Sequence, residues 1–443
     1  MSNDSLIKEM TSQSKPAVLE LPPLLAGKCR YPRLRGEDGT ALMIQADYFL
    51  QLECVRGFEQ CGWKCITLPM LPSENFVERL LMAVATHRPD LLFTVNHFGF
   101  DEQGALAGLL EAMELPYVSW YVDSPAYILL NHTHNASPLA ITPVWERSYL
   151  PFLKGFGFEH AFHLPLGGDP DLFGRGRYGG GRSFQVSYVA DSGVDPSAKW
   201  LAQSPAFEGK EKLVTAAATT LLGDRRIPPL ELLPQTASEL QIELPELDAA
   251  GSLALGSAIV LEATKLSRRR VVGALAPFPL DVFGDEGWLG QLPSQARYHP
   301  KLDYYTELSN VYAETAVNIN ATNYQMPTAV NQRVFDAPLA GGFLISDNQE
   351  DLQLLFDPDE YVTYSRLSDL TDEVRFYLPQ ISLRLRVAEK AVERILAEHT
   401  FRHRIKTIIN YARKAFGSRD FANVRMVRGV INTETTPFEA STP

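Results

Sequence analysis

The stretch Asn331-Gln-Arg-Val-Phe-Asp-Ala-Pro-Leu-Ala-Gly-Gly-Phe-Leu-Ile-Ser-Asp347 decides the fold. It reads as a loop, a helix over about 329–340, a Gly-Gly stop at 341–342 and an apolar strand over 343–346, preceded by another apolar strand at 317–320. Strand, helix and strand in that order make a parallel βαβ unit. A helix that starts just after a strand points its free N–H groups at the crevice of the sheet, which suits a diphosphate. Arg333 in the first turn can add a bidentate phosphate contact, and Asp336 one turn later can accept both hydroxyls of a ribose. The same two residues also form an ordinary i,i+3 ion pair on a solvated helix face. Chemistry alone leaves the two readings open.

Working outward, the same alternation fills most of the chain. Upstream, Ala41-Leu-Met-Ile-Gln45, Lys64-Cys-Ile-Thr-Leu68, Asp90-Leu-Leu-Phe-Thr-Val95 and Tyr117-Val-Ser-Trp-Tyr-Val122 read as strands. Helical patterns at 48–61, 74–87 and 102–114 separate them. After a turn-rich segment, Leu164-Pro-Leu-Gly-Gly-Asp-Pro-Asp171, a second series begins: strands at 183–190, 280–284, 317–320, 342–346 and 361–364, and a helix at 258–270. The expected organisation is a frayed tail over 1–20, a Rossmann-like acceptor domain over 21–165 and a linker over 166–182. A Rossmann-like nucleotide-sugar domain follows over 183–380 with a mainly helical insertion at 195–255. Helices over 381–417 return to the first domain, and a flexible tail takes up 418–443.

The bulk numbers agree. A chain of 443 residues exceeds one ordinary core and predicts two domains. With 45% hydrophobic and 21% charged residues the composition is globular. The balance of 41 basic and 53 acidic residues gives −12, which excludes a nucleic-acid backbone as the main partner. No apolar run of about 20 residues stands out, and 1–15 lack a secretory core, so a cytoplasmic location is expected. Four cysteines without zinc spacing read as reduced thiols.

Several elements in this order resemble the CgeB-like glycosyltransferases, whose N-terminal half is a DUF3880-type domain. They are Ser119-Trp-Tyr-Val-Asp-Ser-Pro125, Val282-Phe-Gly-Asp-Glu-Gly-Trp288, Tyr304 and Tyr305, Asn318-Ile-Asn320, Asn331-Gln-Arg-Val-Phe-Asp336 and Glu398-His399-Thr400-Phe401. Asp336-Ala-x-x-Ala-Gly-x-x-Leu-Ile also resembles the Glu-Ala-x-Ala-x-Gly-x-Pro-Val-Val element of retaining GT-B transferases. The resemblance implies a GT-B fold, two Rossmann-like domains facing a cleft, and transfer of a sugar from a nucleotide-diphosphate donor to a protein or glycan acceptor. It implies that Asp336 binds the ribose and Arg333 the diphosphate, with Asn331 beside them and Asp191 and Ser192 facing the donor phosphates. The retaining pattern has a further acid seven residues before Asp336, where this chain has Ala329. That departure leaves the stereochemical outcome open and keeps a catalytically silent sugar-nucleotide-binding protein as the alternative.

Asp123 and His97 follow first-domain strands and are the candidates for handling the acceptor, with Asp101 and His132 behind them. Otherwise Asp123 is a helix-capping or turn acid and His97 a loop histidine. His132 and His134 lack a third ligand within reach. Asp169-Pro-Asp171 and Asp357-Pro-Asp359 read as turns. No metal site and no cofactor are expected. Trp120 and Trp288 read as core, and Arg268-Arg-Arg270 as a solvated helix end.

Overall fold

The computed structural model describes residues 20–46, 50–71, 75–129, 133–174, 183–203 and 207–417. The expected tails, His132 and 175–182 of the expected linker lie outside the described residues, apart from Glu20. The chain divides into two units. One runs from Pro165 to Thr400, and the other joins the chain up to Leu164 with the segment from Phe401 onward.

The first unit is built on six parallel strands. They are β1 (Thr40–Gln45), β2 (Lys64–Pro69), β3 (Leu91–Val95), β4 (Tyr117–Trp120), β5 (Ala140–Val144) and β6 (His160–His163), in the order β2-β1-β3-β4-β5-β6. All five residues of β3 are buried, as a strand covered on both faces requires, and Leu92 pairs with Tyr117 across to β4. Helices Gln51–Gln60, Phe76–His87 and Ala105–Ala112 make the crossovers. Asn75 caps the second, its Oδ1 accepting from the Glu78 amide at 3.2 Å. The C-terminal helix Phe401–Phe416 also belongs here. Tyr411 stacks on Phe162 at 4.5 Å, and Phe401 lies 5.9 Å from Trp120. A Cβ on Gly57 would sit 2.7 Å from Ile405, so this glycine admits the helix. Of the helices after Ile381, the one over Ile381–Glu398 stays with the second unit.

The second unit holds β7 (Phe184–Val189), β8 (Leu280–Phe283), β9 (Arg297–His299), β10 (Thr315–Ile319), β11 (Leu344–Asp347) and β12 (Val362–Tyr364), again all parallel. Their order is β12-β11-β10-β7-β8-β9. The first strand lies in the middle, the chain builds outward to β9, then crosses back to add β10 to β12 on the other side. The order reverses between β7 and β10, and the carboxyl ends of those two strands flank the crevice where such sheets bind ligands.

Between β7 and β8 the chain inserts helices Val194–Ala202, Glu211–Leu221 and Leu233–Leu240 before the long helix Ala249–Ala274. The insertion has its own core, with Leu213, Ala217, Leu221 and Leu233 packed against Leu255 and Ile259. Among the described residues, Ala249–Ala274 is long and apolar enough to cross a membrane by length and composition, which the sequence reading missed. Its most apolar window is 61% buried, and Val271 and Val272 join the core under the sheet. Trp120 and Trp288 are fully buried. Cys29 and Cys54 are buried free thiols, while Cys61 and Cys65 are partly exposed.

Candidate functional site

Arg333 occupies the crevice where the strand order reverses. It is the first residue of helix Arg333–Leu339, which begins four residues later than the sequence pattern predicts, after a loop that follows β10. Its Nη2 donates to the carbonyl of Val189, the last residue of β7. Nη1 donates to Asn320 Oδ1 at 2.6 Å, and Nε to the Tyr312 hydroxyl at 3.2 Å. Asn320 directly follows β10, is fully buried, and is itself held by Ser346 Oγ at 2.9 Å. Asn331 donates to the same Asn320 oxygen at 2.8 Å. The guanidinium is therefore fixed across the ends of β7 and β10.

A second arginine reaches the same edge. Arg268, on helix Ala249–Ala274, donates from Nη1 to the carbonyl of Asp191 at 2.7 Å, two residues past β7. Nothing in the local sequence signals this, because the contact spans 77 residues. The buried Tyr188 hydroxyl lies under the influence of both guanidiniums, and burial pushes its pKa up against their opposing pull. The Tyr188 hydroxyl sits beside the Arg268 guanidinium, and Asn331 Oδ1 is buried without a hydrogen-bond partner among the described residues. Two guanidiniums held at one strand edge are the kind of donors that a polyanion takes. Lys301 adds a third cation, bonded to Asp191 Oδ2 at 3.1 Å.

Asp336 sits lower. It is 1% exposed, and its oxygens accept from the Tyr304 hydroxyl at 3.0 Å and from Gln332 Nε2 at 2.8 Å. A ribose diol reaching this carboxylate has to displace Tyr304. Ser192 is fully buried: its amide donates to Asp285 Oδ1 at 2.9 Å, and its hydroxyl accepts from the Val194 amide at 3.2 Å. Gly287 packs so closely that a Cβ there would lie 2.1 Å from Ser192 Oγ, which makes this serine part of the wall. Asp191 keeps a partly exposed carboxylate.

In the first unit, Asn96 follows β3 in the left-handed region, with φ 52°. Its Oδ1 accepts from the amides of Val122 and Asp123 at 2.9 and 3.2 Å, and its Nδ2 donates to Asp123 Oδ2 at 2.9 Å. Asp123 is held half-buried beyond β4 by a neighbour that sequence reading did not single out. His97 is 2% exposed, its Nδ1 lies 2.5 Å from Ser119 Oγ, and its ring stacks on Tyr121 at 5.3 Å. Asp101 caps helix Ala105–Ala112, accepting from the Ala105 and Leu106 amides at 2.8 and 2.7 Å. Asp169 caps the short helix Pro170–Phe173. Asp357 and Asp359 pair with Arg394 and Lys390. Among the described residues, no three His, Cys, Asp or Glu side chains are grouped as a metal ion needs.

Comparison with known proteins bears on this arrangement. Residues 262–410, which carry Arg268, Arg333 and Asp336, match a family model described as glycosyl transferase-like. In structure the chain is similar to a sucrose-phosphate synthase from Thermosynechococcus elongatus, with a TM-score of 0.50 and 10% identity over 86% of this chain and 100% of that one. It is also similar to HepE of Anabaena in complex with UDP (TM-score 0.47, 10% identity, 84% and 98% covered). A third is the phage T4 BGT in complex with UDP and Mn2+ (TM-score 0.47, 10% identity, 85% and 99% covered). No curated protein is significantly similar to the chain in sequence. The fold is α/β with two units of the GT-B kind, and the part of the second unit that carries these arginines matches the glycosyl transferase-like family model.

Proposed function

We propose that the chain transfers a sugar from a nucleotide-diphosphate-sugar donor to a protein or glycan acceptor in the cytoplasm, as a CgeB-like transferase that needs no metal. The observation that carries the reading is the guanidinium of Arg333 fixed across the ends of β7 and β10. Developing charge on a leaving diphosphate is best stabilised by donors already in place, since they need no reorganisation as the bond breaks. Arg333 and Arg268 are such donors, with Asn331 and Asp191 at the rim and Ser192 supporting the turn behind them. Asp336 serves the ribose through, or in exchange for, the Tyr304 hydroxyl. Asp123 orients or deprotonates the acceptor hydroxyl, with Asn96 holding it.

A scan of UDP-, GDP- and dTDP-sugars for release of free nucleoside diphosphate tests this, with a CMP-sugar as the control that lacks a diphosphate. One of the diphosphate donors is expected to turn over, equally in the presence and absence of EDTA, and the CMP-sugar is not. If no diphosphate donor binds or turns over, the reading fails. Loss of activity with EDTA removes its metal-free part. Binding without turnover supports the second reading, a silent sugar-nucleotide-binding protein. That reading is favoured by the apolar Ala329, 2% exposed, at the position of the missing acid.

A further inference from the structure

The second unit has a half-open cavity of about 440 Å³ beyond the carboxyl ends of β10, β11 and β12. Its size falls within the roughly 300–1,000 Å³ of small-molecule sites. The inserted helical segment contributes Arg225 to its wall, and helix Ala249–Ala274 contributes Arg270. None of Arg333, Arg268, Asp336, Asn331, Asp191 and Ser192 lines it.

Arg225 is held before any ligand arrives. Its guanidinium lies 4.5 Å from the centre of the Tyr324 ring, and Nη2 is 3.1 Å from Asp347 Oδ2. The other Asp347 oxygen accepts from the Thr322 amide and hydroxyl at 2.9 and 2.8 Å, so this carboxylate is fully engaged. The Nη1 of Arg225 is nonetheless buried without a hydrogen-bond partner, an arrangement that costs free energy unless a ligand or ion completes it. Arg226 is neutralised by Asp224 and Glu350, and Arg366 by Asp369. Arg270 has no ion-pair or hydrogen-bond partner among the described residues. The cavity therefore offers one uncompensated cation, Arg270, beside the guanidinium of Arg225. Asn348 and Ser365 add neutral donors and acceptors beside them.

We infer that this cavity binds a small polyol phosphate, a sugar phosphate, at a site separate from the donor's. The phosphate is taken by Arg270 and the guanidinium of Arg225, whose planar fork suits its oxygens. The hydroxyls pair with the neutral amide and hydroxyl groups.

Calorimetric titration of the full chain with glucose 6-phosphate, inorganic phosphate and glucose tests this. Glucose 6-phosphate is expected to bind, inorganic phosphate more weakly, and glucose not detectably. Arg270→Ala, an exposed position that the fold does not depend on, is expected to weaken glucose 6-phosphate about tenfold or more, as loss of a charge-assisted contact does. Arg225→Lys keeps the charge but loses the fork, and a similar loss is expected. Arg333→Ala is expected to leave this affinity unchanged, and Arg270→Ala to leave nucleoside diphosphate affinity unchanged. Those two arms separate this site from the donor site. The inference is overturned if wild type binds neither phosphate, if glucose binds as tightly as its phosphate, or if Arg333→Ala abolishes binding while Arg270→Ala does not.

Discussion

At the scale of single residues, the two cations at the β7 edge differ in how they can be found. Arg333 is visible in the sequence because it falls near the start of the helix that follows an apolar strand and loop, and precedes Asp336 by three residues. Arg268 is not visible, because its target carbonyl lies just past β7, 77 residues earlier, and its Arg-Arg-Arg context looks like a solvated helix end. Asp123 and His97 looked equivalent as residues that follow strands, and burial separates them. Asp123 is half-buried with its carboxylate held by Asn96, whereas His97 is 2% exposed and packed between aromatic rings. Asp123→Asn retains an acceptor for Asn96 but loses the charge, so turnover is expected to fall by about 10²–10⁴ with donor affinity unchanged. Initial rates at saturating acceptor, paired with a donor titration, measure both. His97→Ala is expected to act on stability instead. It removes a packed ring and leaves Ser119 Oγ short of a partner, at a cost of about 2–4 kcal/mol in denaturant unfolding. Turnover of the folded fraction is expected to remain within about tenfold of wild type, a smaller drop than loss of a general acid or base causes. A rate loss in His97→Ala as large as that in Asp123→Asn, with stability unchanged, contradicts this assignment.

At the scale of elements, nine of the twelve strands among the described residues were read from the sequence. β1, β3 and β4 are near-continuous apolar stretches, the mark of strands buried on both faces. The sequence reading missed β5, β6 and β9, for physical reasons. β5 contains Pro143, which cannot donate to a ladder, and β9 is three residues with a mostly polar pattern. The helix after β10 was drawn too long, because residues 329–332 fit a helical pattern while Asn331 donates to Asn320 and Gln332 to the Gly167 carbonyl from a loop. The C-terminal helices were read together, yet only Phe401–Phe416 covers the first unit's sheet. Its Ile405, Ile408 and Ile409 are buried there. Ile405→Ala leaves a cavity against Gly57 and is expected to cost about 2–5 kcal/mol. In a denaturant titration the loss should fall on the unfolding of the first unit, with nucleoside diphosphate affinity of the folded protein intact. A destabilisation below about 0.5 kcal/mol, the range of surface substitutions, shows that the helix is not part of that core.

At the scale of the whole molecule, the alternation of strand and helix showed from the sequence that two parallel α/β sheets exist. It did not show the order of their strands, because the order depends on which edge each crossover joins and no local pattern records that. The site depends on this order. With β10 beside β7, Val189 and Asn320 come together, and Arg333 can bridge them. A chain with net charge −12 thereby concentrates Arg333, Arg268 and Lys301 at one crevice, against the sign of its average surface. The central claim is that this crevice holds the diphosphate of a sugar nucleotide. Calorimetric titration of wild type and Arg333→Ala with a nucleoside diphosphate and with the matching bare nucleoside tests it most directly. The substitution is expected to weaken diphosphate binding by about 1.5–3 kcal/mol, as for a hydrogen bond to a charged group, and to weaken nucleoside binding far less. Equal losses for the two ligands, or no loss for either, contradict the account.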